Sequence, residues 1–298
     1  MEQAPLAPSK AEIAHYLALK AVEGMGVPQS WTRALDLLER AAQLGAHLAQ
    51  AELAALSGNW AIAHQILAGE AVPEQRWHDL RSSINLAKWL ESPPAEILSA
   101  SPRIGFVEGI CTPEMCDWLI ARARPRLKPA KILDRATGES SASDTRTSSS
   151  CHFRRPESDL IFSILRERIA KVAGIQVDAM EIPYVMRYSL GQEFQPHFDI
   201  VINPDAPDYQ ELLAKGGQRV LTFLVYLNDD YEGGETEFPM LGSRWKGRRG
   251  EALFFWNVAP DGALEERTLH AGLPVTRGEK WMLSQWIRGR PAHPSGGA

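Results

Sequence analysis

Lys280-Trp281-Met282-Leu283-Ser284-Gln285-Trp286-Ile287 alternates with a period of two. That period predicts a β-strand with Lys280, Met282, Ser284 and Trp286 on one face. If that face is buried, the lysine needs an anion beside it. Upstream of it, further short runs read as strands at 182–190, 219–227, 236–238, 252–257 and 273–276, with glycine and proline between them. Many short strands separated in this way argue for a β-sandwich or barrel. Among these runs stand His197-Phe198-Asp199 and, far downstream, His270. In an extended segment positions 197 and 199 point to the same side. Two imidazoles and one carboxylate can occupy one face of an octahedral metal and leave the opposite face open. Taken alone, the His-x-Asp triplet is a weak signal and reads first as a surface histidine beside a carboxylate.

The rest of the chain changes character. Residues 11–92 are rich in Ala and Leu and carry helical spacing, as in Ala34, Leu37, Leu38 and Ala41. Pro93-Pro94 marks a linker over 92–102. Thr112-Pro113-Glu114 reads as a helix start, with Thr112 as N-cap and Pro113 in the first turn. A second helix is expected over 159–173, and the two helices are expected to brace the sheet. Two polar connections, 134–150 and 202–217, read as loops that close over the site.

Length and composition fit a folded two-domain protein, since 298 residues with 44% apolar content can fill ordinary cores. A net charge of −5 offers no basic footprint for nucleic acid or an anionic membrane. No stretch approaches the roughly 20 apolar residues of a membrane span, and Met1 to Lys10 lack the apolar core of a signal peptide. The expectation is a soluble, cytoplasmic protein. Cys111, Cys116 and Cys151 form an odd set without Cys-x-x-Cys spacing, so they read as reduced thiols.

Several blocks occur in a fixed order: Tyr188-Ser189-Leu190-Gly191-Gln192, Gly216-Gly217-Gln218-Arg219, Glu232-Gly233-Gly234-Glu235-Thr236-Glu237-Phe238-Pro239, Gly250-Glu251-Ala252-Leu253, and His270 through Lys280-Trp281. In this order they resemble the catalytic domain of the prolyl 4-hydroxylase family of iron(II) and 2-oxoglutarate dependent dioxygenases, over about residues 102 to 289. Upstream, Glu23-Gly24-Met25-Gly26-Val27-Pro28, then 34–45 and 49–54, resemble one Sel-one-like, tetratricopeptide-like repeat. The fold expected is therefore α+β. Helical repeats would occupy residues 1–98, and a double-stranded β-helix, or jelly roll, would occupy 99–298.

The resemblance implies a mechanism and a site. His197, Asp199 and His270 would hold Fe(II), and Lys280 would bind the far carboxylate of 2-oxoglutarate. Tyr188 and Thr222 would donate hydroxyl hydrogen bonds to that carboxylate, although Tyr188 reads equally well as a strand tyrosine. Trp286 either walls the site or fills the core. Arg146, in Arg146-Thr147-Ser148, would contact substrate or stand on the surface. Oxygen is the second cosubstrate and ascorbate an expected accessory. The products would be succinate, carbon dioxide and a hydroxylated carbon. An attached repeat favours a peptide or protein substrate, with peptidyl proline first. The alternatives are a free amino acid or other small molecule, or an inactive scaffold. The sequence leaves the oligomeric state open. A zinc hydrolase on the same three residues would lack the His-Glu-x-x-His pattern that supplies a general base.

Overall fold

The computed structural model describes residues 7–133, 140–142, 145–200, 213–214 and 216–290. Most of the two expected lids, at 134–139, 143–144, 202–212 and 215, lies outside the described residues. The helices in chain order are α1 (Lys10–Glu23), α2 (Trp31–Gln43), α3 (His47–Leu56), α4 (Trp60–Leu67), α5 (Trp77–Ser83), α6 (Leu86–Trp89), α7 (Pro113–Ala123) and α8 (Leu160–Ala173). The strands begin with β1 (Glu96–Ala100), β2 (Arg103–Val107), β3 (Lys128–Pro129), β4 (Lys131–Leu133), β5 (Ser140–Ala142), β6 (Ser149–His152), β7 (Tyr184–Tyr188) and β8 (Phe194–His197). They continue with β9 (Arg219–Tyr226), β10 (Glu232–Gly233), β11 (Thr236–Phe238), β12 (Ser243–Trp245), β13 (Ala252–Trp256), β14 (His270–Gly272), β15 (Val275–Arg277) and β16 (Lys280–Arg288).

The chain divides into two compact units, one of residues 1–91 with 154–168 and one of 92–153 with 169–298. The first is helical. Ser9 caps α1 through a reciprocal pair: its hydroxyl accepts the Glu12 N–H at 3.2 Å, and the Glu12 carboxylate accepts the Ser9 N–H at 2.7 Å. Ala18, Ala34, Ala41, Ala49 and Ala51 are fully buried, so small side chains let the helices approach closely. One carboxylate is buried among them. Glu52 Oε1 lies 2.5 Å from His15 Nε2, and Oε2 accepts the Leu160 N–H at 2.7 Å. Burial pushes the Glu52 carboxyl up, and His15 works against that rise. Asp159 caps the same helix start by accepting the Phe162 N–H at 2.9 Å.

Three expectations are corrected by the structure. The start of α8 belongs with the N-terminal helices rather than bracing the sheet, because Glu52 holds its first turn and Arg168 donates to Trp89 O at 2.8 Å. The boundary also moves from residue 98 to 91, because the expected linker contains β1, which pairs antiparallel with β2. Likewise β5 and β6 place strand in 140–142 and 149–150, where a loop was expected.

The second unit is a β-sandwich. Among the described residues the larger sheet runs in the order β1-β2-β13-β9-β16-β7-β6-β3 and the smaller β12-β11-β14-β8, with two further two-stranded pairs, β10-β15 and β4-β5. Helix α7 packs against β7, and Thr112 caps it by accepting the Met115 N–H at 3.3 Å. Alternation along β16 sends Lys280, Met282 and Ser284 into the space between the sheets, where they meet inward residues of β7, β9 and β13. Phe238 of the smaller sheet packs edge-on against Phe255 of the larger at 5.3 Å. All three cysteines are buried. No helix among the described residues is long and apolar enough to cross a membrane.

Glu52→Ala deletes the acceptor of a buried N–H and the partner of a buried histidine. We expect a loss of about 2–4 kcal/mol in urea unfolding. A loss below about 0.5 kcal/mol would show that the network does not hold the unit together.

Candidate metal centre

The site begins with strand register. β14 pairs antiparallel with β8 so that His270 stands opposite His197. Each histidine anchors its own ring to the chain two residues earlier: His197 Nδ1 lies 2.8 Å from Gln195 O, and His270 Nδ1 lies 3.0 Å from Thr268 O. A carbonyl only accepts, so each Nδ1 carries the proton and each Nε2 presents a lone pair. Both Nε2 atoms turn to one carboxylate. His197 Nε2 is 3.7 Å from Asp199 Oδ1, and His270 Nε2 is 3.7 Å from Asp199 Oδ2. Strand β8 ends at His197 and the chain bends at Asp199, so that bend, rather than a continuing strand, delivers the carboxylate.

The walls are aromatic. Phe194 stacks on His197 with ring centroids 3.5 Å apart and planes 16° apart, and Phe255 meets His270 at 4.7 Å. Burial, joined by neighbouring His270, pulls His197 down to about 3. The neutral imidazole is the form that binds metal. Burial alone would raise the Asp199 carboxyl, but His270, His197 and the Thr222 hydroxyl outweigh it and leave it below its ordinary value.

These donors fit a metal ion. Bonds of about 2.1 Å place adjacent donors on an octahedral ion about 3 Å apart. One donor atom from each of the three residues lies within 4.8 Å of the others, so a modest contraction reaches that spacing. Among the described residues His197, Asp199 and His270 are the cluster with metal-ligating geometry.

The trio opens on a pocket of about 380 Å³, lined by residues of both sheets. Lys280 stands in its wall, 1% exposed, and donates to Gly234 O at 2.6 Å. A side chain at Gly234, which has φ +66°, would meet Lys280 Cδ at 3.2 Å, so this glycine makes room for the lysine. Burial pulls Lys280 down to about 7, with Glu235 opposing. An ammonium held at that cost is poised for an anion. The rings of Tyr188 and Tyr226 flank it at 5.6 and 5.5 Å.

The other expected site residues divide. Tyr188 lines the pocket, with its hydroxyl 3.5 Å from Met186 Sδ. Thr222 is a correction: its hydroxyl donates to Asp199 Oδ2 at 2.7 Å. Its only proton is thus committed to the metal-binding carboxylate and is not offered to 2-oxoglutarate. Register explains why, since Thr222 pairs with Trp286, six positions along β16 from Lys280. The Arg146 guanidinium lies 5.1 Å from the rings of both Tyr184 and Phe194, which line the pocket. Trp286 is outside the lining and stacks under Arg219 at 3.5 Å and beside Tyr184 at 5.1 Å. Sequence reasoning missed Asn257, whose Nδ2 donates to Thr222 Oγ1 at 3.0 Å, and the Tyr226–Thr236 hydroxyl pair at 2.8 Å. Thr236 lay in a quoted motif and Ser284 on the Lys280 face; Asn257 closed the expected strand 252–257, with nothing local to say which group it would meet.

The model of the 2OG-Fe(II) oxygenase superfamily matches residues 183–288. Prolyl 4-hydroxylase 1 of Arabidopsis thaliana is 37% identical over 207 residues, covering 65% of this chain and 71% of that protein. The chain belongs to the prolyl 4-hydroxylase family. Prolyl 4-hydroxylase 13 of the same plant is 32% identical over 227 residues, covering 71% of this chain and 80% of that protein. Among solved structures, the 2OG complex of a viral collagen prolyl hydroxylase from Paramecium Bursaria Chlorella virus-1 has 29% identity and a TM-score of 0.48. It covers 62% of this chain and 95% of that one. Family membership makes the chain a 2-oxoglutarate-dependent hydroxylase and implies Fe(II), 2-oxoglutarate and O2 as its cofactors.

If Lys280 receives the cosubstrate carboxylate, binding must raise its pKa from about 7. At pH 8 the free lysine is mostly neutral, so binding takes up about one proton; at pH 6 it is already charged and uptake is near zero. Calorimetry of 2-oxoglutarate binding in buffers of different ionisation enthalpy measures this, and equal uptake at both pH values would remove Lys280 from the role.

Proposed function

We propose that the protein hydroxylates prolyl residues in a peptide or protein. The reading rests on Arg146. Its guanidinium flanks the pocket between two aromatic rings, and its Nη2 is buried without a hydrogen-bond partner among the described residues. A buried, unsatisfied N–H donor costs free energy until an acceptor reaches it, and a peptide carbonyl is such an acceptor. The adjoining rings of Tyr184 and Phe194 offer apolar faces to a pyrrolidine ring, which has no N–H of its own to satisfy. The relatives named prolyl 4-hydroxylase support the same substrate class.

When bound, the iron(II) centre supplies the oxidative chemistry: 2-oxoglutarate, O2 and a C–H bond become succinate, CO2 and C–OH. This chain's residues do the positioning. His197, Asp199 and His270 would hold the metal, and Lys280 with the Tyr226–Thr236 hydroxyls would receive the cosubstrate's far end. Phe194, Tyr184 and Arg146 orient the peptide. Ascorbate belongs to the proposal as an accessory reductant. We read α2 and α3 as a Sel-one-like hairpin, on the strength of fully buried Ala41 and Ala51 and nearly buried Ala42, and as a surface for the peptide or its parent protein.

Proline-containing peptides incubated with Fe(II), ascorbate and 2-oxoglutarate should gain one oxygen on proline by mass spectrometry. Arg146→Ala should raise the peptide KM about tenfold or more while 2-oxoglutarate binding holds. Oxygen on a free amino acid or another side chain, with proline peptides untouched, would replace this substrate reading.

A further inference from the structure

Asp199 has two oxygens, and the structure treats them differently. Thr222 donates to Oδ2 at 2.7 Å, and Asn257 Nδ2 donates to the Thr222 oxygen at 3.0 Å. The order of this relay is forced. An ionised carboxylate only accepts, so the single Thr222 proton goes to Asp199 and the hydroxyl can only accept from Asn257. Turning the Asn257 amide over would set two acceptors competing for one proton. Asn257 is itself pinned, its N–H donating to Val220 O at 2.9 Å and its carbonyl accepting the Glu265 N–H at 3.0 Å. Asp199, Thr222 and Asn257 are 5, 0 and 2% exposed, so a lost partner strands a buried polar group. Arg219 fixes the main chain as well, donating to Asp199 O at 3.4 Å while Glu181 grips its guanidinium.

We propose that Thr222 and Asn257 are positioning residues that hold Asp199 as a one-oxygen metal ligand and thereby keep one coordination position open. This rests on the metal reading of the trio. A carboxylate with both oxygens free can chelate and take a second position on the ion. The Thr222 hydrogen bond draws charge from Oδ2 and fixes the plane of the group, leaving Oδ1 as the donor. Three protein donors would leave the remaining positions to the cosubstrates, 2-oxoglutarate and O2. A chelating Asp199 would compete with the cosubstrate rather than with the histidines. The relay therefore acts on what the ion can still accept, not on how tightly the protein holds it.

The test separates those two quantities in the full-length chain. Mn(II) affinity of the metal-free protein and 2-oxoglutarate affinity of the Mn(II)-loaded protein are measured by calorimetry, without turnover. Thr222→Val keeps the shape and removes the donor. It should leave Mn(II) affinity equal or tighter and weaken 2-oxoglutarate about tenfold or more. Asn257→Ala should shift both in the same directions by less, and Thr222→Ser should restore wild-type values. Unchanged 2-oxoglutarate affinity in Thr222→Val, or parallel loss of metal and cosubstrate in the valine and alanine variants, overturns the proposal. Should Thr222→Val fail to fold, the Asn257→Ala and Thr222→Ser pair decides by the same comparison. A wild-type chain that binds neither Mn(II) nor 2-oxoglutarate would instead defeat the metal reading itself.

Discussion

The antiparallel pairing of His270 with His197 is the constraint from which the rest of the site follows. Side chains on a strand alternate faces, so a slip of one residue between β14 and β8 would turn one histidine away from the other. Both rings are then locked by carbonyls two residues upstream, which leaves their Nε2 atoms converging on Asp199. No long-range side-chain contact is needed to aim either ligand; register and local hydrogen bonds suffice. The smaller sheet thus works as a two-point mount for a metal.

The larger sheet supplies what the mount lacks. β16 brings Lys280 and β9 brings Thr222, at opposite ends of one strand pair. Each places a polar group in an otherwise apolar interior, where an unsatisfied donor costs free energy and a satisfied one fixes geometry. Thr222 is satisfied at once by Asp199 and Asn257. Among the described residues Lys280 meets the Gly234 carbonyl, the rings of Tyr188 and Tyr226 and the distant charge of Glu235, so its ammonium is left wanting an anion. The two ends therefore divide the labour. One shapes a ligand of the metal, and the other waits for the cosubstrate.

Much of this was legible locally. The alternation of 280–287 became β16 with the expected face inward, and Thr112 became the cap of α7. The spacing of His197 and Asp199 forecast convergence correctly, although a bend rather than a strand achieves it. Edge strands were harder. β1 lies in a segment read as a linker, and a largely exposed strand paired on one side needs no strict apolar alternation; β6, though paired on both sides by β7 and β3, ends a serine-rich run that carries no apolar pattern. The first turn of α8 carries the same apolar spacing whichever unit it joins, and a buried Glu52, distant in sequence, decided the matter.

By itself the sequence determined which chemistry was present: two imidazoles and a lysine on strands whose period turns them inward, and a carboxylate two residues after the first imidazole. Those properties are local, set by side-chain type and a two-residue repeat. Only the tertiary structure decided which partner each polar group took. Thr222 could face the cosubstrate or Asp199 with the same alternation, and Asn257, at the end of an expected strand, carried no sign of its partner. Hydrogen-bond pairing in a buried core depends on distances between strands far apart in the chain, and no repeat within one strand encodes them.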